Sequence, residues 1–243
     1  MNKLDHINEF KALLAHYQMS AEAQQVLASV RLVLLLAPSS GGRNTIIREL
    51  VKTGTFHFIV SDTTRKKRVN DGVLEQNGVE YWFRSEEDVL SDLKAGRYIE
   101  AEVIHGQQVS GMNVAELEKV QHEHRVAINE VDYGGIHYFV RHKPDTLPIM
   151  VLPPSFEEWM RRMKKRGTMT PEDFKHRLQT AEIIFELAEK RDYFKFIVND
   201  DLEHAVQQVI ALERGEVNET SQVAARHLAR LLKQQTTDLL ATL

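Results

Sequence analysis

Short apolar runs alternate along the chain with segments whose apolar positions recur at helical spacing. The runs LVLLLA (32–37), FHFIVS (56–61), RVAINEVD (125–132), LPIMVLPP (147–154) and FKFIVND (194–200) are apolar nearly throughout, the pattern of strands buried on both faces. Between them, TIIRELVKTG, NVAELEKVQHEH and SFEEWMRRMKKRG place apolar residues on one helical face. Strands that alternate with helices predict an α/β fold with a five-stranded parallel sheet flanked by helices. Ser155 and Glu158 spell a capping box, Thr170 before Pro171 marks another helix start, and PEDFKHRLQTAEIIFELAEKRDY reads as one long helix. Residues 80–111 break the alternation with strand, helix, then strands, the mark of an inserted lobe.

The ends differ from the middle. Residues 2–29 read as one or two helices, and Leu228, Leu231, Leu232, Leu239 and Leu243 form a stripe on a C-terminal amphipathic helix. Two readings of these helices stay open: they pack on their own domain, or they make a homodimer contact. With 243 residues the chain suits one domain with helical extensions. Its net charge of -4 is spread through mixed signs, so there is no one-sided basic footprint of a nucleic-acid binder, and an anionic ligand must be held locally. The N-terminus has no secretion-signal pattern, and the run Leu32 to Ala37 is far short of the roughly 20 residues that span a bilayer. The expectation is a cytoplasmic protein with no membrane or nucleic-acid partner. There is no cysteine, and His122, His124, His137 and His142 follow no metal-ligand spacing.

The stretch LVLLLAPSSGGRNTII (32–47) runs from a buried strand through a Gly/Ser-rich turn into a helix. Such a turn aims backbone N–H groups and a positive helix end at one point, which suits a phosphate. Against the phosphate-loop pattern G-x-x-x-x-G-K-[ST], Ala37 replaces the first glycine, Arg43 the lysine and Asn44 the hydroxyl residue, with Thr45 next. Taken alone, a tight strand-to-helix turn without a ligand fits as well. Arg43 keeps the charge but not the shape of an ammonium, and Asn44 or Thr45 offers magnesium an oxygen.

Downstream, SDTTRKKR (61–68), NGVEYWF (77–83), YIEAEVIHG (98–106), NEVDYGG (129–135), KRGT, HRL and VNDDL follow in order. In that order and spacing the chain resembles the guanylate kinase family over about residues 31–212. The resemblance implies a P-loop kinase fold over 30–212, with a small mixed GMP-binding lobe at about 62–111 and a helical lid near 160–178. A helical extension (1–29) precedes it and a C-terminal helix (213–243) follows.

It further implies transfer of a phosphoryl group from Mg-ATP to GMP. Ser39, Ser40, Gly41, Gly42, Arg43, Asn44, Thr45 and Asn199 would hold ATP. Ser61, Arg65, Arg68, Tyr81, Glu100, Ser110 and Asp132 would hold GMP, with Glu100 accepting from the guanine N1–H and exocyclic amine. Asn44, Thr45 and Asp132 would face Mg2+, and Arg43, Arg162, Arg166 and Arg177 would stabilise the group in flight. Two further departures stand out: Ser40 replaces another glycine usual in the family, and QQVSG (107–111) lacks the family's tyrosine, leaving Ser110 as the nearby hydroxyl. The other class of function that fits is a guanylate-kinase-like binding module whose donor loop has decayed.

Overall fold

The computed structural model describes residues 4–70, 72–165, 167 and 169–243. The chain forms two compact units, one from the chain up to Arg31 with His57–Ala127, the other from Leu32–Phe56 with Ile128–Leu243.

In the second unit, β1 (Leu32–Leu36) is buried at every position. It lies inside a five-stranded parallel sheet flanked by helices, in the order β11-β10-β1-β9-β2. The partners are β2 (Phe56–Phe58), β9 (Val126–Glu130), β10 (Leu147–Leu152) and β11 (Lys195–Val198). The register Leu36↔Met150 and Met150↔Phe196 brings the carboxyl ends of β1, β10 and β11 to one side, where ligands of open α/β sheets bind. The helices are α3 (Arg43–Lys52), α6 (Gly135–His142), α7 (Phe156–Lys165), α8 (Pro171–Lys190), α9 (Leu202–Glu213) and α10 (Glu219–Leu240).

Helix starts follow local chemistry. Thr170 Oγ accepts from the Asp173 amide at the head of α8, with Pro171 in the first turn. At α7 only half of the expected capping box forms. Ser155 Oγ accepts from the Glu158 amide at 3.2 Å, but the Glu158 carboxylate is taken by Arg161 and Arg162 at 2.6 and 2.7 Å. Two guanidiniums outcompete one neutral backbone donor. The C-terminal leucine stripe also needs correction. On α10 the buried positions are Ala225, Ala229, Leu232 and Thr236, while Leu231 and Leu243 are 48% and 56% exposed. The small residues allow α10 to lie close against α8. Gln222 of α10 closes edge strand β11: its side-chain amide accepts from Phe196 N–H at 2.8 Å and donates to Phe196 C=O at 2.9 Å.

The first unit is a four-stranded sheet in the order β6-β3-β8-β7, built from β3 (Asp62–Thr63), β6 (Trp82–Phe83), β7 (Tyr98–Ile104) and β8 (Gln108–Asn113). A separate hairpin pairs β4 (Val69–Asn70) with β5 (Val73–Leu74). Around the sheet lie α1 (Ile7–Leu14), α2 (Ala21–Ser29), α4 (Glu86–Lys94) and α5 (Val114–Glu123). The N-terminal segment belongs to this unit's core, where Leu4 and Phe10 pack with Val89, Leu90, Leu93 and Tyr98.

One buried carboxylate ties the unit together. Glu116 of α5 accepts from Val60 N–H at 3.0 Å, Trp82 Nε1–H at 3.0 Å and Lys119 Nζ at 2.5 Å, and lies 3.4 Å from His57 Nε2. Burial pushes its pKa up, but His57, Lys119 and the Val60 amide outweigh burial and bring it down to about 2. His57 is raised above its ordinary value, chiefly by the Glu116 hydrogen bond. Among the described residues no helix is long and apolar enough to cross a membrane.

The pair sets a pH window. A raised histidine contributes in full below its unfolded value, about 6.5, and loses that contribution as pH climbs through its folded value. A depressed glutamate contributes above its unfolded value, about 4.3, and loses that as pH falls toward 2. The stability of wild type over His57→Gln in thermal unfolding is therefore largest between about pH 4.5 and 6.5 and shrinks as pH rises above that window. A gap that stays constant across that range would remove His57 from the network.

Candidate functional site

Six residues connect β1 to α3, and their conformation is set by ties from the rest of the second unit. Ser40 has φ 64 and Gly42 φ 97, both left-handed. For Gly42 this is natural, and a Cβ there would come within 2.1 Å of Asn199 Nδ2. Ser40 is not glycine, so its side chain adds strain at this φ, and its Oγ is buried without a hydrogen-bond partner. Gly41 N–H donates to Pro38 C=O at 2.9 Å. Trp159 Nε1–H donates to Ser39 C=O at 2.8 Å, Arg177 Nη1–H to Ser39 Oγ at 3.1 Å, and Asn199 Nδ2–H to Gly41 C=O at 2.8 Å. Arg162 Nη2–H donates to Asn199 C=O at 3.0 Å.

Ser39, Gly41, Gly42, Arg162, Arg177 and Asn199 are thus brought into one connected cluster. Tying off the carbonyls leaves the loop amides and the start of α3 as the anion-binding side.

Arg43 takes a direction of its own. Its Nη1–H donates to Val131 C=O at 3.1 Å, and its Nε lies 2.9 Å from Glu130 Oε2 without hydrogen-bond geometry. The guanidinium is therefore held at the end of β9. Glu130 is a residue that sequence reasoning passed over, although it stands two positions before Asp132 in the same motif. Asp132 is exposed and accepts from Gly135 N–H at 2.7 Å, at the head of α6. Asn44 is exposed on the first turn of α3, and Thr45 Oγ1 accepts from Arg48 at 3.4 Å. Arg166 lies outside the described residues. Among the described residues no cluster of three or more His, Cys, Asp or Glu could hold a metal by protein ligands alone. Asn44, Thr45 and Asp132 offer only oxygens, which fits Mg2+ carried on nucleotide phosphates, since that ion takes one or two protein oxygens and keeps the rest for phosphate and water.

The first unit gathers the other set. Arg65 makes a bidentate pair with Glu75, Nη1–Oε2 2.5 Å and Nη2–Oε1 2.8 Å. Its guanidinium lies over the rings of Tyr81 and Phe83, 4.8 and 5.4 Å from their centroids. Glu75 also accepts from the Arg68 amide at 2.8 Å, while the Arg68 side chain is exposed. Glu75 therefore orients the whole basic turn, and sequence reasoning did not find it. Ser61 C=O accepts from Trp82 N–H, and Ser110 Oγ–H donates to Asp62 C=O at 2.7 Å, so that hydroxyl has a backbone partner.

Asp62 is buried, bonded to the Tyr98 hydroxyl at 2.6 Å and paired with Arg84 at 3.1 Å. Burial raises its pKa despite both partners. Glu100 sits on β7 opposite Met112. A cavity of about 1010 Å³ in this unit is lined by Arg65, Lys66, Lys67, Arg68 and Arg84, with Asp5, Glu86 and Glu87 at its acidic side.

Comparison with known proteins fits this geometry. The guanylate kinase family model matches residues 29–214. Guanylate kinase of Porphyromonas gingivalis is 35% identical over 182 residues, 74% of this chain and 94% of that protein. That of Corynebacterium jeikeium is 33% identical over 192 residues, 78% of this chain and 99% of that protein. The crystal structure of guanylate kinase from Anaplasma phagocytophilum superposes with a TM-score of 0.54 at 26% identity, covering 78% of this chain and 86% of that one.

The loop makes opposite forecasts for two neighbouring positions. Gly42→Ala forces an alanine into left-handed backbone and against Asn199, and is expected to cost about 1–3 kcal/mol, several degrees of melting temperature at this chain length. Ser40→Gly removes strain and an orphaned hydroxyl, and is expected to gain about 1 kcal/mol. Differential scanning calorimetry reads both, and a stabilised Gly42→Ala would show that the loop does not hold this conformation.

Proposed function

Because this chain belongs to the guanylate kinase family, we propose that it transfers the γ-phosphoryl group of Mg-ATP to GMP, giving ADP and GDP, in the cytoplasm. An oxygen of the GMP phosphate attacks the γ-phosphorus as the bond to the β,γ-bridging oxygen breaks, and ADP leaves with that electron pair. No covalent enzyme intermediate is required, since positioning and charge stabilisation supply most of the acceleration.

The observation that carries the reading is the set of ties on the loop: Arg177 bonds Ser39, Asn199 bonds Gly41, and Arg162 bonds the Asn199 carbonyl behind it. A loop without a phosphate to bind has no use for two guanidiniums built into its support. In the proposed reaction the loop amides and Arg43 hold the donor phosphates, and Arg162, Arg166 and Arg177 neutralise charge on the group in flight. Asn44, Thr45 and Asp132 would hold Mg2+ carried with the nucleotide, and the ion would offset phosphate charge. Arg65, Arg68 and Tyr81 clamp the acceptor phosphate, with Glu75 holding Arg65 planar beneath it. Glu100 accepts from the guanine N1–H and amine, a donor pair that adenine lacks, so AMP would leave a carboxylate unpaired. Movement of the lid near 160–178 over the loop keeps water from the γ-phosphate. In this scheme residues 30–212 form the catalytic domain.

A coupled assay of ADP release, run with GMP beside AMP, CMP and UMP, tests the reading. GMP-dependent turnover is expected. No turnover with GMP bound in calorimetry would reduce the protein to a recognition module. Arg43→Ala is expected to lower kcat by about 10²-fold or more with a smaller change in GMP affinity; an unchanged kcat would make the tether to Glu130 and Val131 a purely structural device. Glu100→Ala is expected to collapse the preference for GMP over AMP, and intact discrimination would remove it from the base site.

A further inference from the structure

Strand β7 forms one edge of the first unit's sheet and carries a bulge between Tyr98 and Glu100. On a regular strand residues two apart share a face. Here Tyr98 packs in one cluster with Ala101, Val103 and Val109, an odd step along the chain from 98 to 101. The bulge has therefore turned Tyr98 into the core and left Glu100, with Glu102, on the opposite face. Re-aiming a side chain next to a binding site is a recurrent use of such bulges.

What holds the bulge comes from outside the strand. The Tyr98 N–H donates to Tyr17 Oη at 2.8 Å, and the Tyr17 O–H donates to Tyr98 C=O at 2.7 Å. A single phenol thus takes the place of a neighbouring strand at this residue. Three residues on, Ser20 N–H donates to Gly96 C=O at 2.9 Å. Gly96 has φ +69, and a Cβ there would come within 2.7 Å of the Ser20 nitrogen. The Tyr98 hydroxyl in turn bonds Asp62, the neighbour of Ser61. Residues 17–20 grip 96–98 at two points, and they precede the segment 29–214 that matches the family.

We propose that Tyr17 is a positioning residue for purine recognition: by pairing both backbone groups of Tyr98 it fixes the bulge that directs Glu100, so base discrimination in this protein depends on its N-terminal extension. The inference rests on the assignment of Glu100 to the guanine edge. Without the Tyr17 hydroxyl, an inward donor and acceptor lose their partner, the bulge can slide by one residue, and such a slip exchanges the faces of the strand.

The test uses the full chain and three variants, Tyr17→Phe, Leu13→Ala and Tyr17→Gln, with GMP and IMP as probes. IMP keeps the N1–H and lacks the exocyclic amine. Calorimetric Kd values and steady-state kinetics are measured together. Wild type is expected to prefer GMP over IMP. Tyr17→Phe should cut that preference by about tenfold and raise the KM for GMP while leaving the KM for ATP unchanged. Leu13→Ala removes packing from the same cluster but no hydrogen bond to the Tyr98 backbone, and should lower the melting temperature with the preference intact. Tyr17→Gln, which keeps a donor and an acceptor, should restore part of the preference, and it carries the test if Tyr17→Phe does not fold.

A preference retained in Tyr17→Phe, or lost equally in Leu13→Ala, overturns the proposal. Turnover absent in a wild type that still discriminates in Kd would overturn the proposed reaction alone. Wild type that binds both purines equally would overturn the assignment of Glu100 and this inference with it.

Discussion

A chain that leaves a buried strand and enters a helix within six residues must bend its backbone through left-handed conformations, and it must give its carbonyls somewhere to point other than the anion site. In this protein both requirements are met from outside the loop. Ser39 C=O is taken by Trp159 of α7 and Gly41 C=O by Asn199 after β11. These partners are available only because β10 and β11 run parallel to β1 and end on the same side. The strand order thus fixes the loop, and the loop fixes where its amides point. Arg162 and Arg177 join the same lattice of contacts, so α7 and α8 are tied to the loop without a separate relay.

The substitution of arginine for lysine at position 43 acquires a meaning from its neighbours. A lysine's point charge would be free to follow a phosphate, whereas a guanidinium offers several donors in a plane. Arg43 uses two of those edges on Val131 C=O and Glu130. The charge remains beside the loop, but it is shared with the end of β9, which couples the loop to the segment that leads to Asp132. Glutamate at position 130 and arginine at position 43 form one ion pair.

Much of this was legible in the chain. The apolar runs at 32–37, 147–154 and 194–200 became β1, β10 and β11 because a strand covered on both faces leaves no polar alternation to misread. The ordered motifs pointed to the family that the comparisons show. What could not be read was the choice of partner. Glu75, Glu116 and Glu130 look like any other acidic residues until the fold brings Arg65, His57 and Arg43 to them. The half-formed capping box at Ser155 is a different case, since Arg161 and Arg162 compete for Glu158 from i+3 and i+4 on the same helix. The leucine stripe near the C-terminus misled because α10 packs through alanines at close range, a preference set by α8 rather than by leucine content.

Two of the sheet edges, β11 and β7, are closed in the same manner. Gln222 occupies both backbone groups of Phe196 on β11, and Tyr17 does so for Tyr98 on β7. An open strand edge is a template on which another chain can lay itself, and proteins suppress that hazard by covering it. Each cover here lies outside the segment shared with the family. A chain trimmed to its conserved-length relatives would therefore expose two adhesive borders at once, and intermolecular pairing would compete with folding from the moment of synthesis.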